Sequence, residues 1–427
     1  MLIPLLARFA SPASFHEDVG RRWDEALRRL REDWLRDRRP KPGDLPAYAE
    51  GFPQEVRGEV YEDLVADHLR LSWEAGERRR LEEYPGIVPG ADLVEDEFLA
   101  RCQLPYGDLP SPEEYARRFP ALPEAADRLR RRMLGSGRYV AISRLAWGAT
   151  GEVWDAVDRR ARCRVALKRA RPGIPGPAEF RRRLEREARL AVRLTHPGIM
   201  GFHDYFPGNR YEEPFLAMPR FESRTMADVL GLCHGSQTDP DLRRELWSGL
   251  LRAFVDLCDA VGYAHREGVF HRDLKPGNVL VGREGQVVVV DWGLAAETGT
   301  PAGTELVGTP EYMAPEQLEG AFGPPSDIFA LGAILHEILT GAHPRPWEAA
   351  YRPADWIKRI RRGERREAAP KGGRLGRDLM ALCRWAMDED SGRRPGTAEE
   401  LGRRVEERLS RASAAVRFWR RLRILGL

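Results

Sequence analysis

The spacing of hydrophobic and polar positions changes along the chain. Up to about residue 136, apolar residues recur at helical spacing among many Arg and Glu residues, and proline turns such as PKPGDLP and PYGDLPSP interrupt them. The stretches RYVAISRLA, GEVWDAVD and RCRVALKRA that follow are short and apolar or alternating, which predicts strands. After Pro177 a helical pattern returns and ends at His196-Pro197, and PFLAMPRF then predicts another strand.

From about residue 242 onward the pattern is mainly helical. One long predicted helix, which stops at Gly268, carries a single apolar stripe. The stripe consists of Leu246, Leu250, Phe254, Leu257 and Val261. A second apolar run, from Ile328, contains His336 and Glu337, so it predicts a buried core helix and not a membrane span. Together the patterns predict an α+β protein in which a small strand-rich lobe precedes a larger helical lobe.

Two segments of the first third resemble each other. GDLPAYAEGFP from Gly43 and GDLPSPEEYARRFP from Gly107 share GDLP, followed by a Tyr-Ala pair and a Phe-Pro pair. Two copies indicate a duplicated helical hairpin. Because no cluster of catalytic residue types accompanies them, we expect the Tyr and Phe side chains to pack a small core and not to form a ligand site.

Composition narrows the class of protein. The 427 residues are 42% hydrophobic and 32% charged with a net charge of +3, which fits a soluble globular protein and gives no argument for nucleic-acid binding. The N-terminal MLIPLLARFASPASF lacks the basic residues that open a signal peptide, and no run of about 18 apolar residues predicts a membrane span. The five cysteines form no C-x-x-C pair, so a reducing cytoplasm is expected.

Lysine is rare in this chain. Only five of the 69 basic residues are lysines, so arginine serves wherever a generic positive charge is needed. A remaining lysine therefore indicates a position that requires a compact ammonium group. This directs attention to Lys168 and Lys275.

Three motifs in the second half carry the chemistry. HRDLKPGN, from His271 to Asn278, precedes the apolar strand QVVVVDWG, which ends in Asp291-Trp292-Gly293, and GTPEYMAPE begins at Gly308. Oxygen donors on a loop and on the end of a neighbouring strand can bind the same divalent cations, and Asp273 lies close to them in the same loop motif. This arrangement suits phosphoryl transfer, in which a protein orients a hydroxyl and neutralises charge on the γ-phosphate.

With these motifs the chain resembles a eukaryotic-like (Hanks-type) bacterial serine/threonine protein kinase over about residues 139–408. The resemblance implies a two-lobed protein kinase fold with a small antiparallel β-sheet lobe and a larger helical lobe. It divides the chain into a helical docking or regulatory domain (1–136), a kinase domain (137–408, with lobes 137–219 and 222–408) and a basic amphipathic C-terminal helix (409–427). Expected partners are ATP, Mg²⁺ and proteins phosphorylated on Ser or Thr.

The resemblance assigns catalytic roles. Lys168 binds the α- and β-phosphates and pairs with Glu187, which the distance to His196-Pro197 favours over Glu185. Asp273 orients the substrate hydroxyl as the base, and Lys275 stabilises the transferring phosphoryl group, which is typical of Ser/Thr kinases. The implied Mg²⁺ ligands are Asn278 and Asp291. The implied nucleotide-binding residues are Gly148, Gly151, Val153, Ala166, Lys168, Met218, Pro219, Phe221 and Leu280.

Two positions depart from the family pattern. Ala146 replaces the first glycine of the phosphate-covering loop RLAWGATGEVW, and we expect a modest loss of nucleotide affinity and not a dead site. Trp292 replaces the usual Phe, which changes packing and not metal binding. Pro219 lacks an N–H, so the hinge would use its carbonyl together with the N–H of Phe221.

Other positions match supporting parts of the family. Asp327 resembles the helix residue that anchors the catalytic loop, and Glu316 with Arg394 resembles the buried ion pair. Arg272, directly before Asp273, implies activation by a phosphate in the activation segment. The acceptor candidates are Thr298, Thr300 and Thr304, and Thr309 is expected to contact Asp273.

Alternatives remain for the tail and for the function. The tail from Leu409 has five arginines and no acid, with Val416, Trp419, Leu422 and Leu425 partly on one side. It could lie on an anionic membrane, although packing onto the protein is favoured. A pseudokinase scaffold would have lost a lysine, base or metal ligand, and a small-molecule kinase would lack GTPEYMAPE. An active protein kinase is therefore the favoured function.

Overall fold

The computed structural model describes residues 13–36, 39–102, 110–135, 137–147, 151–170, 177–208, 213–301, 307–345, 353–366 and 368–424. The chain forms two compact units. The first comprises Met1–Trp147 with Glu152–Leu167, and the second Gly148–Gly151 with Lys168–Leu427. Helices and antiparallel strands occur in both, so the predicted α+β class is confirmed.

The N-terminal part of the first unit is helical, as predicted. Its helices are α1 (Ala13–Leu35), α2 (Pro46–Ala49), α3 (Gln54–Glu74), α4 (Ala91–Cys102), α5 (Pro112–Arg118) and α6 (Pro123–Arg132). In α1 the residues Trp23, Ala26, Leu30 and Trp34 recur every three or four positions and are all buried. Trp23, Ala26 and Leu30 join residues of the other helices in one continuous apolar core.

The two similar segments form similar local structures. Tyr48 lies in the short helix α2 and Tyr115 in the short helix α5, and in each case a longer helix follows the Phe-Pro pair. The Tyr48 hydroxyl donates to Asp33 at 2.8 Å, and the Tyr115 hydroxyl donates to Glu97 at 2.9 Å. Each tyrosine thus packs by its ring and anchors a neighbouring helix by its hydroxyl, which agrees with the expected core role.

Four antiparallel strands complete the first unit. They follow in the order β1 (Met133–Leu134), β2 (Tyr139–Trp147), β3 (Gly151–Asp158) and β4 (Cys163–Ala170), with the end of β4 continuing into the second unit. Val140 of β2 is fully buried and belongs to the same core as the N-terminal helices. Arg132 donates to the Ile142 carbonyl at 2.7 Å, and Arg159 donates to the Pro110 carbonyl at 2.9 Å. The packing therefore continues across the predicted boundary at residue 137.

The second unit contains the remaining elements. Its helices are α7 (Pro177–Arg193), α8 (Met226–His234), α9 (Pro240–Arg266), α10 (Pro324–Thr340), α11 (Pro353–Arg361), α12 (Gly373–Ala386) and α13 (Ala398–Ile424). Its strands are β5 (Asp204–Phe206), β6 (Phe215–Pro219), β7 (Ser223–Thr225), β8 (Val269–Phe270), β9 (Val279–Gly282), β10 (Val287–Val289) and β11 (Ala296–Glu297). Strand β5 pairs with β6, β9 lies between β10 and β7, and β11 pairs with β8.

The predicted core helices are confirmed. In α9 the stripe residues Leu250, Phe254, Leu257 and Val261 are buried, and Leu246 packs against the same core. Gly268 follows that helix with φ +73°, a left-handed conformation that favours glycine. Helix α10 is buried along most of its length, including its predicted apolar run.

The C-terminal segment continues a helix of the helical core. Helix α13 begins at Ala398, and Leu401 and Val405 are buried against that core. The segment predicted as a helix over 409–427 is continuous with it as far as Ile424. The side chains of Val416, Trp419 and Leu422, and all of Leu425, lie outside the described residues. No helix in the described part of the chain combines the length and apolar character needed to span a bilayer.

Candidate active site

The loop after β8 is held in place by one buried carboxylate. Asp327, which is 2% exposed on α10, accepts hydrogen bonds from the backbone N–H groups of His271 (2.8 Å) and Arg272 (2.9 Å). It also accepts one from the Nε2 of His265 at 2.9 Å. Burial opposes its charge, but the hydrogen bond from His265 and the nearby imidazoles outweigh burial and lower the pKa of Asp327. The predicted anchoring role of Asp327 is thus matched by its contacts, and His265 is a partner that the sequence motifs did not reveal.

Asp273 lies at the centre of a small hydrogen-bond cluster. Its carboxylate accepts from the Thr309 hydroxyl at 2.6 Å and from the Lys275 Nζ at 2.8 Å. Lys275 also donates to the Thr309 hydroxyl at 2.8 Å, and the Asn278 amide donates to the backbone carbonyl of Asp273 at 2.8 Å. Asp273 is only 8% exposed, so its orientation is fixed by these partners. The expected contact between Thr309 and Asp273 is present.

Lys168 joins two carboxylates that are far apart in the chain. Its Nζ donates to Glu187 at 2.6 Å and to Asp291 at 2.7 Å. Burial alone would lower the pKa of Lys168, but the charges of the two carboxylates outweigh it and raise that pKa. The ammonium charge lowers the pKa of Asp291. Glu187 is buried on α7 whereas Glu185 is exposed, which agrees with the choice made from the spacing.

The segment that carries Asp291 has an unusual backbone. Asp291 has φ +65°, in the left-handed region, and the next residues form a short 3-10 turn. Trp292 is 2% exposed, and its ring lies 4.7 Å from that of His271. His271 in turn donates from Nε2 to the Val290 carbonyl at 3.1 Å. The larger indole is accommodated in the core, and Asp291 lines the cavity described below.

The oxygen donors near the cavity fit a hard cation. Magnesium uses one or two protein carboxylate or amide oxygens and completes its shell with water and phosphate oxygens. Asn278 donates its amide hydrogens to Asp273, which leaves its amide oxygen directed elsewhere, and Asp291 binds Lys168 through Oδ1 only. The described residues contain no group of three His, Cys, Asp or Glu side chains that could bind a metal on their own. The donor set therefore suits Mg²⁺ bound together with a phosphate ligand.

A cavity of about 390 Å³ connects these residues. It is lined by the predicted catalytic and metal-binding side chains Lys168, Glu187, Asp273, Lys275, Asn278 and Asp291. Phe180 and Arg183 of α7 also line it, although no sequence motif singled them out. The six residues were predicted separately along more than a hundred positions, and the fold brings all of them to one cavity.

The predicted hinge residues follow strand β6. Met218 is 9% exposed and Pro219 ends the strand. The carbonyl of Phe221 accepts from Arg220 at 2.8 Å. Leu280 lies in β9. These contacts give the segment a defined conformation, and the adenine-binding roles assigned to it stay predictions.

The remaining nucleotide-binding candidates belong to the glycine-rich segment RLAWGATGEVW and to strand β4. Val153 and Ala166 lie on the strands β3 and β4 of the first unit, and Ala146 pairs with Val153 beside an irregularity in the register of β2 and β3. Gly148 lies outside the described residues. The modest effect expected of Ala146 stays a prediction.

Gly151 has close neighbours that explain the absence of a side chain. A Cβ at this position would lie 2.9 Å from the Arg169 carbonyl oxygen and 2.9 Å from a ring carbon of Phe180. Real Cβ atoms do not approach backbone oxygen so closely, so the loop or Phe180 would have to move. Glycine is thus required here by packing within the second unit, in addition to the proposed approach of phosphate.

Part of the activation segment lies within the described residues, and its roles as phosphate acceptor and phosphate partner stay predictions. Thr298 donates to the Gly268 carbonyl at 3.3 Å, and the Thr300 hydroxyl accepts from the Glu297 N–H at 3.2 Å. Thr304 lies outside the described residues. The Arg272 guanidinium lies 4.3 Å from the ring centre of Phe322, and its Nε makes no hydrogen bond among the described residues.

The segment beyond the activation loop is tied to the helical core. Arg394 donates to both oxygens of Glu316 at 2.7 and 2.9 Å, which is the predicted buried ion pair. Gln317, which the motifs did not mark as functional, donates to the Arg272 carbonyl at 3.2 Å. These contacts join the end of GTPEYMAPE to the loop that carries Asp273.

Comparison with known proteins agrees with this geometry. Residues 139–404 match the family model described as protein kinase domain. The chain is 36% identical over 235 residues to serine/threonine-protein kinase PknD of Chlamydia trachomatis, a match that covers 48% of this chain and 25% of that protein. It is 36% identical over 217 residues to serine/threonine-protein kinase PknA of Mycobacterium tuberculosis, with 49% of this chain and 48% of that protein covered. The chain thus spans a quarter to about half of the length of these relatives.

Proposed function

The chain belongs to the protein kinase family, and we propose that it is a serine/threonine protein kinase that transfers the γ-phosphoryl group of ATP to Ser and Thr hydroxyls of proteins. The observation that carries the proposal is the pairing of Lys168 with Glu187 at 2.6 Å in the same cavity as Asp273. Catalysis of phosphoryl transfer consists mainly of positioning and electrostatic stabilisation. The residues that line this cavity can supply both the positioning and the electrostatic stabilisation.

Asp273 is proposed to orient the acceptor hydroxyl. Its carboxylate already accepts a hydroxyl hydrogen bond, from Thr309 at 2.6 Å, so the geometry suits a second hydroxyl of a Ser or Thr substrate. Lys275 lies 2.8 Å from the same carboxylate and places a positive charge where the transferring phosphoryl group gains negative charge. The substrate hydroxyl proton would pass to Asp273 as the bond from the hydroxyl oxygen to the γ-phosphorus forms and the bond from the γ-phosphorus to the bridging β-phosphate oxygen breaks, which releases ADP.

The family generally uses ATP with Mg²⁺. Lys168 is proposed to bind the α- and β-phosphates, and Asn278 and Asp291 to hold Mg²⁺, which would neutralise phosphate charge when bound. The hinge would bind adenine through the Pro219 carbonyl and the Phe221 N–H. The apolar contacts to adenine are assigned to Val153, Ala166, Met218 and Leu280.

The rival function is a pseudokinase scaffold that acts through its helical N-terminal region. The lysine, the base and the metal-binding residues are all present, which favours an enzyme over a scaffold. The presence of GTPEYMAPE favours a protein kinase over a small-molecule kinase. The deciding experiment incubates the full chain with Mg²⁺, ATP and a generic basic protein. We expect phosphate on Ser or Thr, lost in Asp273→Asn and kept in the exposed control Asp241→Asn. A wild-type protein that transfers no more phosphate than Asp273→Asn supports the scaffold.

Activation by autophosphorylation is part of the proposal. Arg272 precedes Asp273 and its Nε is unpartnered among the described residues, which supports a role in binding a phosphate on the activation segment. Thr298, Thr300 and Thr304 are the proposed acceptors. Phosphopeptide mapping after incubation with ATP tests this, and activity that is unchanged when all three are replaced by Val contradicts it.

Residues 1–136 are proposed to act in docking or regulation. Their core includes Val140 of β2, which supports direct coupling to the strand before the glycine-rich loop.

We also propose a cytoplasmic location, because all five cysteines are free and four are buried, as expected in a reducing compartment. Cell fractionation tests the location, and recovery from an oxidising compartment contradicts it.

A further inference from the structure

A buried arginine contacts the segment that carries Thr309. Arg345 is 2% exposed, which makes it one of the largest fully buried side chains in the described part of the protein. Its Nη1 donates to the Met313 carbonyl at 2.6 Å and to the Pro310 carbonyl at 3.1 Å. Its Nε and Nη2 make no hydrogen bond among the described residues. The guanidinium thus directs its hydrogen bonds to two backbone carbonyls of one loop.

Burial of this cation is costly and is only partly offset. Burial lowers the pKa of Arg345 to about 10. Its guanidinium lies 5.1 Å from the centre of the Phe329 ring, a ring that Arg394 also approaches at 5.0 Å. Arg394 has the carboxylate of Glu316 as its partner, whereas the hydrogen bonds of Arg345 go to carbonyl oxygens. An apolar side chain of similar size would avoid this cost, so the two carbonyl contacts are the feature that needs an arginine.

The two carbonyls belong to one turn. The turn's own hydrogen bond, from the Met313 N–H to the Pro310 carbonyl, is long at 3.4 Å. The overlapping backbone hydrogen bond, from the Tyr312 N–H to the Thr309 carbonyl, is 3.0 Å long, and Arg345 adds a side-chain bridge between the two ends of the Pro310–Met313 turn. Thr309 directly precedes the turn and donates to Asp273 at 2.6 Å. The position of the turn therefore sets the position of Thr309 against the carboxylate.

We propose that Arg345 is a positioning residue for the protein substrate: it holds the Pro310–Met313 turn so that the acceptor chain binds beside Asp273. The inference rests on the kinase function proposed above. Arg345 does not line the cavity that contains Lys168 and Asp291. Its loss is therefore expected to weaken binding of the acceptor protein and, through Thr309, to lower kcat, while nucleotide binding is unchanged.

The kinetic test compares three variants of the full chain. Arg345→Met keeps length and removes the donors, Arg345→Lys keeps one charged donor, and Arg365→Met is the matched control. Arg365 also lies near the Phe329 ring, at 5.9 Å, but donates to Glu389 at 2.5 Å and not to the turn. Because hydrogen bonds to a charged group are lost, Arg345→Met should raise the KM for the acceptor protein about tenfold or more, with an unchanged KM for ATP. Arg345→Lys should be intermediate, and Arg365→Met should match the wild type.

A second measurement separates this inference from the proposed function. Hydrogen exchange of the peptide spanning residues 307–317 should be faster in Arg345→Met and unchanged in Arg365→Met, whether or not the protein transfers phosphate. Absence of transfer by the wild type would overturn the kinase proposal, while exchange would still show whether Arg345 holds the turn. An unchanged acceptor KM together with unchanged exchange overturns the positioning role. If Arg345→Met does not fold, Arg345→Lys decides by the same two measurements.

Discussion

The Nζ of Lys168 lies 2.6 Å from Oε2 of Glu187, with only 7% of the glutamate side chain exposed. An ammonium group this close to a buried carboxylate is held in one orientation. The same ammonium also binds Asp291, so the position of α7 and that of the segment before Trp292 depend on each other. The pair therefore connects helix position to the two groups proposed to bind phosphate and Mg²⁺.

We predict that Glu187→Gln lowers the affinity for Mg-ATP and the rate of phosphoryl transfer. The amide keeps the shape of the side chain but leaves the buried Lys168 charge with Asp291 as its remaining carboxylate. Loss of a charge-assisted hydrogen bond predicts a change of about tenfold to a hundredfold in kcat/KM. Steady-state kinetics and calorimetric titration with ATP measure both effects. Glu185→Gln, on the exposed face of the same helix, should match the wild type, and an equal loss in both variants contradicts the pairing.

Thr309 offers a test of how Asp273 is oriented. Removal of the hydroxyl in Thr309→Val deletes the 2.6 Å hydrogen bond to Asp273 and the contact from Lys275. We expect kcat to fall about tenfold while ATP affinity is unchanged, because neither lost contact involves Lys168, Asn278 or Asp291, which are proposed to bind the α- and β-phosphates and Mg²⁺. Thr309→Ser keeps the donor and should retain most of the activity. Equal activity of the Val and Ser variants would show that the hydroxyl does not orient the carboxylate.

Packing around Gly151 predicts a defect in nucleotide binding. In Gly151→Ala the new methyl group would lie 2.9 Å from the Arg169 carbonyl and from Phe180, so the loop start must shift. We expect ATP affinity to fall by about tenfold, measured by titration, with a smaller loss of thermal stability. Gly249→Ala is the control, because an added Cβ there meets nothing within 4 Å.

Ala146→Gly should change turnover only modestly, and a gain of orders of magnitude would show that the missing glycine is a serious defect.

The buried His68 predicts how stability depends on pH. Its Nε2 donates to the Pro40 carbonyl at 2.6 Å, and its Nδ1 lies 2.7 Å from the Tyr84 hydroxyl, which donates to the neutral ring. Burial lowers its pKa despite the opposing effects of the hydrogen bond to the Pro40 carbonyl and the charge of Glu77, and Arg79 adds to the lowering. The unfolded chain, with an ordinary His pKa of about 6.5, therefore binds the proton more tightly than the folded one.

This difference makes the folded state lose stability as the pH falls below the unfolded pKa, with the full contribution present above it. Between about pH 5 and 7.5, the free energy of unfolding measured with urea should change less steeply with pH in His68→Gln than in the wild type, by at most about 1.4 kcal/mol per pH unit. Hydrogen exchange in α3 follows unfolding of the first unit. His336→Gln, in the second unit, is the control and should leave the pH dependence measured in α3 unchanged. If the pH dependence of unfolding measured in α3 is the same in His68→Gln as in the wild type, His68 is not the group that causes it.

The sequence allowed some parts of the site to be predicted and not others. Lys168, Asp273 and Asp291 lie within ordered motifs, and the requirement for a particular residue type at each of them makes the pattern recognisable. Arg345 has no such mark, because arginine is the common cation of this chain and only the fold shows that this one is buried. The same holds for His265, whose contact with Asp327 depends on how α9 and α10 pack.

Fold prediction had a similar limit. Periodicity predicted α9, which buries a regular stripe, while continuous apolar character predicted α10 and short apolar runs between turn residues predicted the strands β2 to β4. The change of pattern near residue 137 also suggested a domain boundary there. Periodicity describes one element at a time, so it gave no sign that Val140 packs into the core of the preceding helices.

That shared core gives the last prediction. Val140 is fully buried among residues of the N-terminal helices, so Val140→Ala should lower stability by about 2 kcal/mol and loosen both sides of the core. Hydrogen exchange should rise in α4 and α6 as well as in β2. Val165→Ala in β4 is the matched control: Val165 is also fully buried but lies outside this core, so α4 and α6 should exchange as in the wild type. If Val140→Ala leaves exchange in α4 and α6 unchanged, the helical region folds independently of β2 and its proposed coupling to the glycine-rich loop fails.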